Sequence, residues 1–419
     1  MKRRFSWAVG CAALGLWAYT IAHYLHGAFG YQGYGDFYLM LGQVRTWLQT
    51  GAFPTDTAFL YPPFFYVLTA PLAWLQDEAA ASVMVWLNQG LLIATLWLLY
   101  RTLSPRPKRA WLVWVLGPLM LNHRLLLTTL SMAKIEMLQL FLLVATCAAY
   151  QRRRDRLAGA LLAVAGAVKP LPLLLILYFL AKREWRVVAA WTVTLSGILA
   201  GCAVLIGWQE VWIYFVHAAL PARGDQTMLS WTESQSLLAF TMRLFHTGEP
   251  VFMMPASEMA GLPTAVASGL RVLVAAIIGA LVWPAGERHP QRVAAEWSLA
   301  LIGMLLISPF SRDYYAVFLL PAYAWLAHRA LCQPSWWRWP PAWLGLLSYL
   351  FVGQGFPLGI VNRLPPIVPW ANNLHIYMYY SVPTWGYLLL LAAWAHVCVH
   401  EREGVMAAPG PACETGGAV

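Results

Sequence analysis

Charge is what this sequence has least of. Only 11% of its 419 residues are Asp, Glu, Lys or Arg, against roughly 25% in a soluble domain. That deficit excludes an ordinary water-soluble globule. A 60% hydrophobic content and a mean hydropathy of +0.57 place the chain in a bilayer instead. Paired cysteines are missing too. The six cysteines are scattered and none forms a Cys-x-x-Cys pair, so neither a zinc site nor a disulfide framework is indicated. The first apolar run lacks a small-residue cleavage site and is read as a retained span. No two aspartates stand one residue apart, and no convincing internal repeat is present, which weighs against transporters built from duplicated halves.

What is there is a series of apolar runs separated by basic clusters. Such clusters mark the cytoplasmic side. Lys2-Arg3-Arg4 places the N-terminus inside, and a first span over residues 5–28 delivers Asp36 to the outer face. The next basic cluster runs from Arg101 to Arg109, yet two apolar stretches, 61–75 and 80–101, precede it. The first is short and carries Pro62, Pro63 and Pro71, so it is expected to lie at the outer interface or re-enter. Residues 157–181 lie between Arg152-Arg153-Arg154 and Lys182-Arg183, both inside. They are therefore expected to form a hairpin broken at Lys169-Pro170. The whole reads as an all-α polytopic membrane protein of about twelve segments. Residues 1–400 form one transmembrane domain, and 401–419 form a disordered cytoplasmic tail. The net charge of +10 is a topology signal, not a nucleic-acid footprint.

This threading leaves a short set of polar residues on the outer side. Asp36 is followed by Phe37, Tyr38, Leu41, Val44, Trp47 and Leu48, the spacing of an amphipathic helix. At its N-terminal end a carboxylate suits the dipole, so Asp36 is either a cap or a chemical group. Lys169 lies in an apolar run, where an ammonium costs about 2.5–3.5 kcal/mol and normally meets an anion in a cavity. Its plainer reading is a snorkelling side chain. Arg312-Asp313 is either an ion pair or a guanidinium presented to a phosphate. Ser234-Gln235-Ser236 leads into a second expected amphipathic helix with Phe240, Met242 and Arg243, and Lys134 and Glu136 flank Ile135 at the start of a span.

In order along the chain, these blocks resemble the polyprenyl-phosphate-mannose-dependent alpha-mannosyltransferases of the integral-membrane GT-C class. The resemblance rests on Asp36-Phe37, on Gly51 before Tyr61-Pro62-Pro63, and on Lys169-Pro170 with Pro172. It continues through Ser234-Gln235-Ser236-Leu237 with Arg243, and Ser308-Pro309. The chain departs from the family at Ala133-Lys134-Ile135-Glu136 and at Arg312-Asp313-Tyr314-Tyr315.

The resemblance implies a multi-pass protein of the inner (plasma) membrane with an extracytoplasmic active site. It would move a sugar, mannose in the family, from a polyprenyl-phosphate-sugar donor to a glycan or glycolipid of the cell envelope. A single base and a direct displacement imply inversion, with Asp36 as that base. Lys169 and Arg312, backed by Lys134 and Arg243, are the candidate phosphate-binding cations. Tyr34, Tyr61, Glu136, Gln235, Tyr314 and His375 are the candidate substrate contacts. No metal, cofactor or nucleic acid is expected. The rival reading is a transporter or flippase of a lipid-linked saccharide.

Overall fold

In a computed structural model, the described residues are 35–52, 61–103, 123–216, 227–248, 250–251, 253–254, 261–283, 288–333, 335–353 and 373–402, with five isolated helical positions before them. The rest of the first expected span, Tyr34 and residues 403–419 lie outside the described residues, whereas Glu401 and Arg402, assigned above to a disordered tail, end helix Val382–Arg402. Every long element described is a helix. Among the described residues, four helices are long and apolar enough to cross a membrane: Asp77–Thr102, Trp185–Ile206, Leu262–Val282 and Val382–Glu401. In Trp185–Ile206 only Val187, Cys202 and Ile206 are buried, so its apolar surface suits lipid rather than water. This is a multi-pass membrane protein.

The chain divides into two compact units. One comprises Tyr19–Leu98 and Thr128–Gln226. Here helix Gly35–Thr50 buries Phe37, Met40, Leu41 and Val44 along one stripe, against Phe65 and Tyr66 of helix Pro63–Ala73. With 11 residues, Pro63–Ala73 is about 16 Å long, short of a hydrocarbon core of about 30 Å. Arg45 closes the corner that follows. It donates to Ala73 O (3.1 Å) and Leu75 O (2.7 Å) and pairs with Asp77 at 2.5 Å. Helices Glu136–Gln151 and Asp155–Val168 then form an antiparallel hairpin. Asp155–Val168 packs on Trp185–Ile206 so closely at Gly159 that a Cβ there would lie 2.2 Å from Val187 O.

The break between the hairpin and the next helix follows from one proline. The residue before proline is pushed out of the helical region. Lys169 accordingly sits at φ −157°, ψ 135° and ends Asp155–Val168. The chain resumes as a 3₁₀ turn, Leu171–Leu175, and helix Ile176–Ala181.

The other unit comprises Met1–Ala18, Leu99–Leu127 and Thr227–Val419. Its core is helix Pro290–Ile307, buried from Val293 to Leu306, with Trp297 and Trp394 fully enclosed. Ser236 caps helix Leu237–Phe245 by accepting from Ala239 N at 3.2 Å. Along it Leu237 to Arg243 are all buried, while Leu244 and Phe245 at its end are exposed.

Candidate functional site

Four of the polar residues singled out in the sequence meet in one place in the first unit. Asp36 is the second residue of helix Gly35–Thr50, and its carboxylate is 61% exposed. Lys134 Nζ donates to Asp36 Oδ2 at 2.9 Å. Two residues on, Glu136 opens helix Glu136–Gln151 with its side chain only 2% exposed. Lys169 Nζ donates to Glu136 Oε1 at 2.5 Å. The sequence positions alternate in sign: carboxylate, ammonium, carboxylate, ammonium.

Local structure explains why each charge stands where it does. Glu136 and Asp36 occupy helix N-termini and Lys169 a helix C-terminus, the ends whose dipoles favour those signs. Because the hairpin is antiparallel, the N-terminus carrying Glu136 lies beside the C-terminus carrying Lys169. Gln139, one turn after Glu136, donates to Ala165 O (3.0 Å) and Lys169 O (3.1 Å), tying the two helices together at the proline break. The Lys134 backbone is held by Asn88, whose Nδ2 donates to Lys134 O at 3.0 Å. Ala133 next to it takes φ 49°, unusual for a residue with a side chain. The turn therefore gives Lys134 and Glu136 different partners, Asp36 and Lys169. Tyr61 stacks on Phe65 with ring centroids 4.2 Å apart, and Lys169 Nζ lies 5.5 Å from the Tyr61 centroid.

The remaining candidates fall in the second unit. Arg312 pairs with Glu233, and its guanidinium lies over the Trp231 ring at 3.7 Å. Residues 233–235 and 311–313 run alongside each other, with Gln235 N donating to Ser311 O (2.6 Å) and Asp313 N to Glu233 O (2.8 Å). Gln235 is fully buried. Its amide nitrogen donates to Thr232 O and Met378 O, and its amide oxygen accepts from Thr384. Arg243 donates to Ser381 Oγ (2.9 Å), Trp231 O (3.2 Å) and Ser234 O (2.7 Å). Burial lowers its pKa to about 9. The Tyr314 ring stands 4.9 Å from that of Tyr315. The side chain of His375 lies outside the described residues.

Sequence reasoning missed Asn88, Gln139 and Trp231. Gln139 had a signal, since it follows Glu136 by three on one helix face. Asn88 and Trp231 had none, because their partners are distant in sequence or lie on the backbone.

Residues 59–309, more than half of the chain, match the family described as Glycosyltransferase family 87. The chain belongs to glycosyltransferase family 87. The family match takes in Lys134, Glu136, Lys169, Gln235 and Arg243, while Asp36 and Arg312 lie outside it. Two relatives are named polyprenol-phosphate-mannose-dependent alpha-(1-2)-phosphatidylinositol mannoside mannosyltransferase. The one from Mycobacterium tuberculosis is 27% identical over 279 residues, covering 63% of this chain and 60% of the relative. The one from Mycolicibacterium smegmatis is 28% identical over 308 residues, covering 67% and 64%. This family 87 chain thus spans less than two thirds of the length of either relative. Among solved structures, ArnT from Cupriavidus metallidurans bound to undecaprenyl phosphate is similar at 17% identity and a TM-score of 0.42, over 87% of this chain and 73% of that one.

Proposed function

We propose that this chain is a GT-C-type enzyme that transfers mannose from a polyprenyl-phosphate-mannose donor to a glycan or glycolipid on the outer face of the plasma membrane. Family membership and the names of the two relatives support the reaction class. One observation carries the mechanism: an exposed carboxylate and an enclosed ammonium stand in one alternating charge array, Asp36, Lys134, Glu136 and Lys169.

Asp36 accepts the proton of the acceptor hydroxyl as that oxygen attacks the anomeric carbon. Its exposure lets an acceptor reach it, and Lys134 keeps it ionised and aimed. The anomeric carbon–phosphate oxygen bond breaks, and its electron pair leaves with the lipid phosphate. The leaving group gains one negative charge and needs no proton. Lys169 meets that charge in a water-poor setting, where a fixed cation acts strongly. A single displacement inverts the anomeric centre. Tyr61, beside Lys169, borders the donor, and Glu136 serves Lys169 rather than the sugar. Gln235 and Arg243 are assigned to the scaffold, since their polar atoms are spent on backbone and neighbouring hydroxyls. Arg312 and Tyr314 stay candidates for recognising an anionic group within their own unit.

The test uses purified protein in lipid nanodiscs with polyprenyl-phosphate-mannose and an envelope glycolipid extract. Release of polyprenyl phosphate with gain of a hexose on a glycolipid is the expected result. Asp36→Asn should lower turnover by about 10²–10⁴-fold while the protein stays folded in the membrane. Wild-type turnover by the Asn variant would remove Asp36 as the base, and no hexose gain with wild-type protein would remove the reaction.

A further inference from the structure

The two ion pairs of the array are built differently. Asp36 is open to solvent, whereas Glu136 is almost completely enclosed, and among the described residues Lys169 is the partner its carboxylate has. Taking the counter-ion from a buried pair leaves an uncompensated buried charge. Lys169 is also the cation assigned above to the lipid phosphate, and the inference rests on that reading. A phosphate arriving at Lys169 therefore meets a carboxylate already on the same ammonium.

We propose that Glu136 is an internal stand-in for the substrate's phosphate. It holds Lys169 while the site is empty, gives it up when a lipid phosphate binds, and takes one proton from solvent as it does so. No bond in the substrate changes in this step. One solvent proton becomes the O–H of the Glu136 carboxyl group, and it returns to solvent when the phosphate leaves and the pair re-forms.

The surroundings leave Glu136 little alternative. Lys134 stands two residues away on the same turn, but it holds Asp36. The helix Asp155–Val168 carries its other charges, Asp155 and Arg156, at the far end. Helix Pro63–Ala73 has no charged residue, and Trp185–Ile206 has only Arg186, in its first turn. Asn88 and Gln139 are neutral, and their amide nitrogens already donate to carbonyls. A carboxylate deprived of its counter-ion in such a place neutralises rather than stays charged. The exchange also helps turnover. The product phosphate carries one more negative charge than the donor, and a carboxyl that can re-ionise against Lys169 competes it off.

The experiment is isothermal titration calorimetry of the full chain in nanodiscs with undecaprenyl phosphate, in two buffers of different ionisation enthalpy. At about pH 7.5 a phosphate monoester is already doubly ionised and exchanges few protons of its own. Wild-type protein should take up most of one proton per lipid bound. Glu136→Gln should take up none and bind the lipid phosphate several-fold more tightly, having lost the competitor. Lys169→Met should lose at least tenfold in affinity. Binding by wild type without proton uptake sinks the proposal, and that measurement needs no variant. Weaker binding by Glu136→Gln also sinks it, because the carboxylate would then be a fixed support of the site. Wild-type affinity in Lys169→Met removes the phosphate assignment and the proposal together, whereas lost affinity there with no wild-type proton uptake overturns Glu136 alone.

Discussion

Arg243 and Lys169 carry the same charge in the same outer-side set, and the structure uses them differently. Arg243 donates to two backbone carbonyls and a serine hydroxyl inside its unit. Its lowered pKa of about 9 still leaves it protonated at neutral pH. A planar donor fork spent in this way ties the 231–234 turn to Ser381, whose own φ of 55° shows how tightly that corner is held. Replacing it takes a donor from the Trp231 and Ser234 carbonyls and from the Ser381 hydroxyl at once. Arg243→Met should therefore destabilise the protein by about 3 kcal/mol or more, read as a lower midpoint of thermal unfolding in detergent. An unchanged midpoint would return Arg243 to the list of phosphate ligands. The sequence offered no means of telling the two cations apart at this scale. A cation after a Gln-Ser block looks the same whether it faces a cavity or a carbonyl, and only the fold decides. Asp36 and Lys169 were legible because each stands as an isolated charge against apolar neighbours. Their partners were not, since Lys134 lies 98 residues from Asp36 and Glu136 lies 33 from Lys169.

Elements were easier to read than pairings. A proline imposes its conformation on its neighbour whatever the fold, so the break at Lys169-Pro170 was visible from two residues. The helix Leu237–Phe245 was legible as a helix, but its spacing did not show how much of it is buried, from Leu237 through Arg243. Helix contacts were invisible altogether. Gly159 sits in an unremarkable alanine-rich run, yet its missing side chain lets Asp155–Val168 approach Trp185–Ile206. A Cβ there would lie 2.2 Å from Val187 O and 2.8 Å from Trp191 N, both backbone atoms that yield poorly. Gly159→Ala should cost about 1–3 kcal/mol through overpacking. It should also lower activity, because Lys169 is fixed to the end of the displaced helix. Gly201→Ala is the control: it lies on the facing helix with open space around it, and should be neutral or mildly stabilising. Denaturation of both variants in the same detergent checks the pair. Equal midpoints would show that the close approach carries no weight.

At the scale of the whole molecule, the proposed function needs the charge array on the outer side, and the hairpins of the first unit bear on that. The turn Arg152–Arg154 joins Glu136–Gln151 to Asp155–Val168, and Lys182–Glu184 joins Ile176–Ala181 to Trp185–Ile206. Arg153 and Arg183, in those turns, both take positive φ. Tyr150 donates to Glu184 Oε1 at 2.8 Å, which brings the two basic turns to one end. Lys169 is at the opposite end of Asp155–Val168, whose 14 residues span about 21 Å. The charge array and the basic turns therefore lie at opposite ends of the same helices. Basic turns stay in the cytoplasm, which supports the proposed orientation, with the array on the outer side, where a donor in the outer leaflet and an envelope acceptor would meet. In a cysteine-free background, Leu39→Cys, exposed and one turn beyond Asp36, should react with an impermeant thiol reagent added to spheroplasts. Arg153→Cys and Arg183→Cys should react only after the membrane is opened. Labelling of the two basic turns from outside, with residue 39 protected, would invert the molecule. A reaction at Asp36 would then have to draw its acceptor from the cytoplasm.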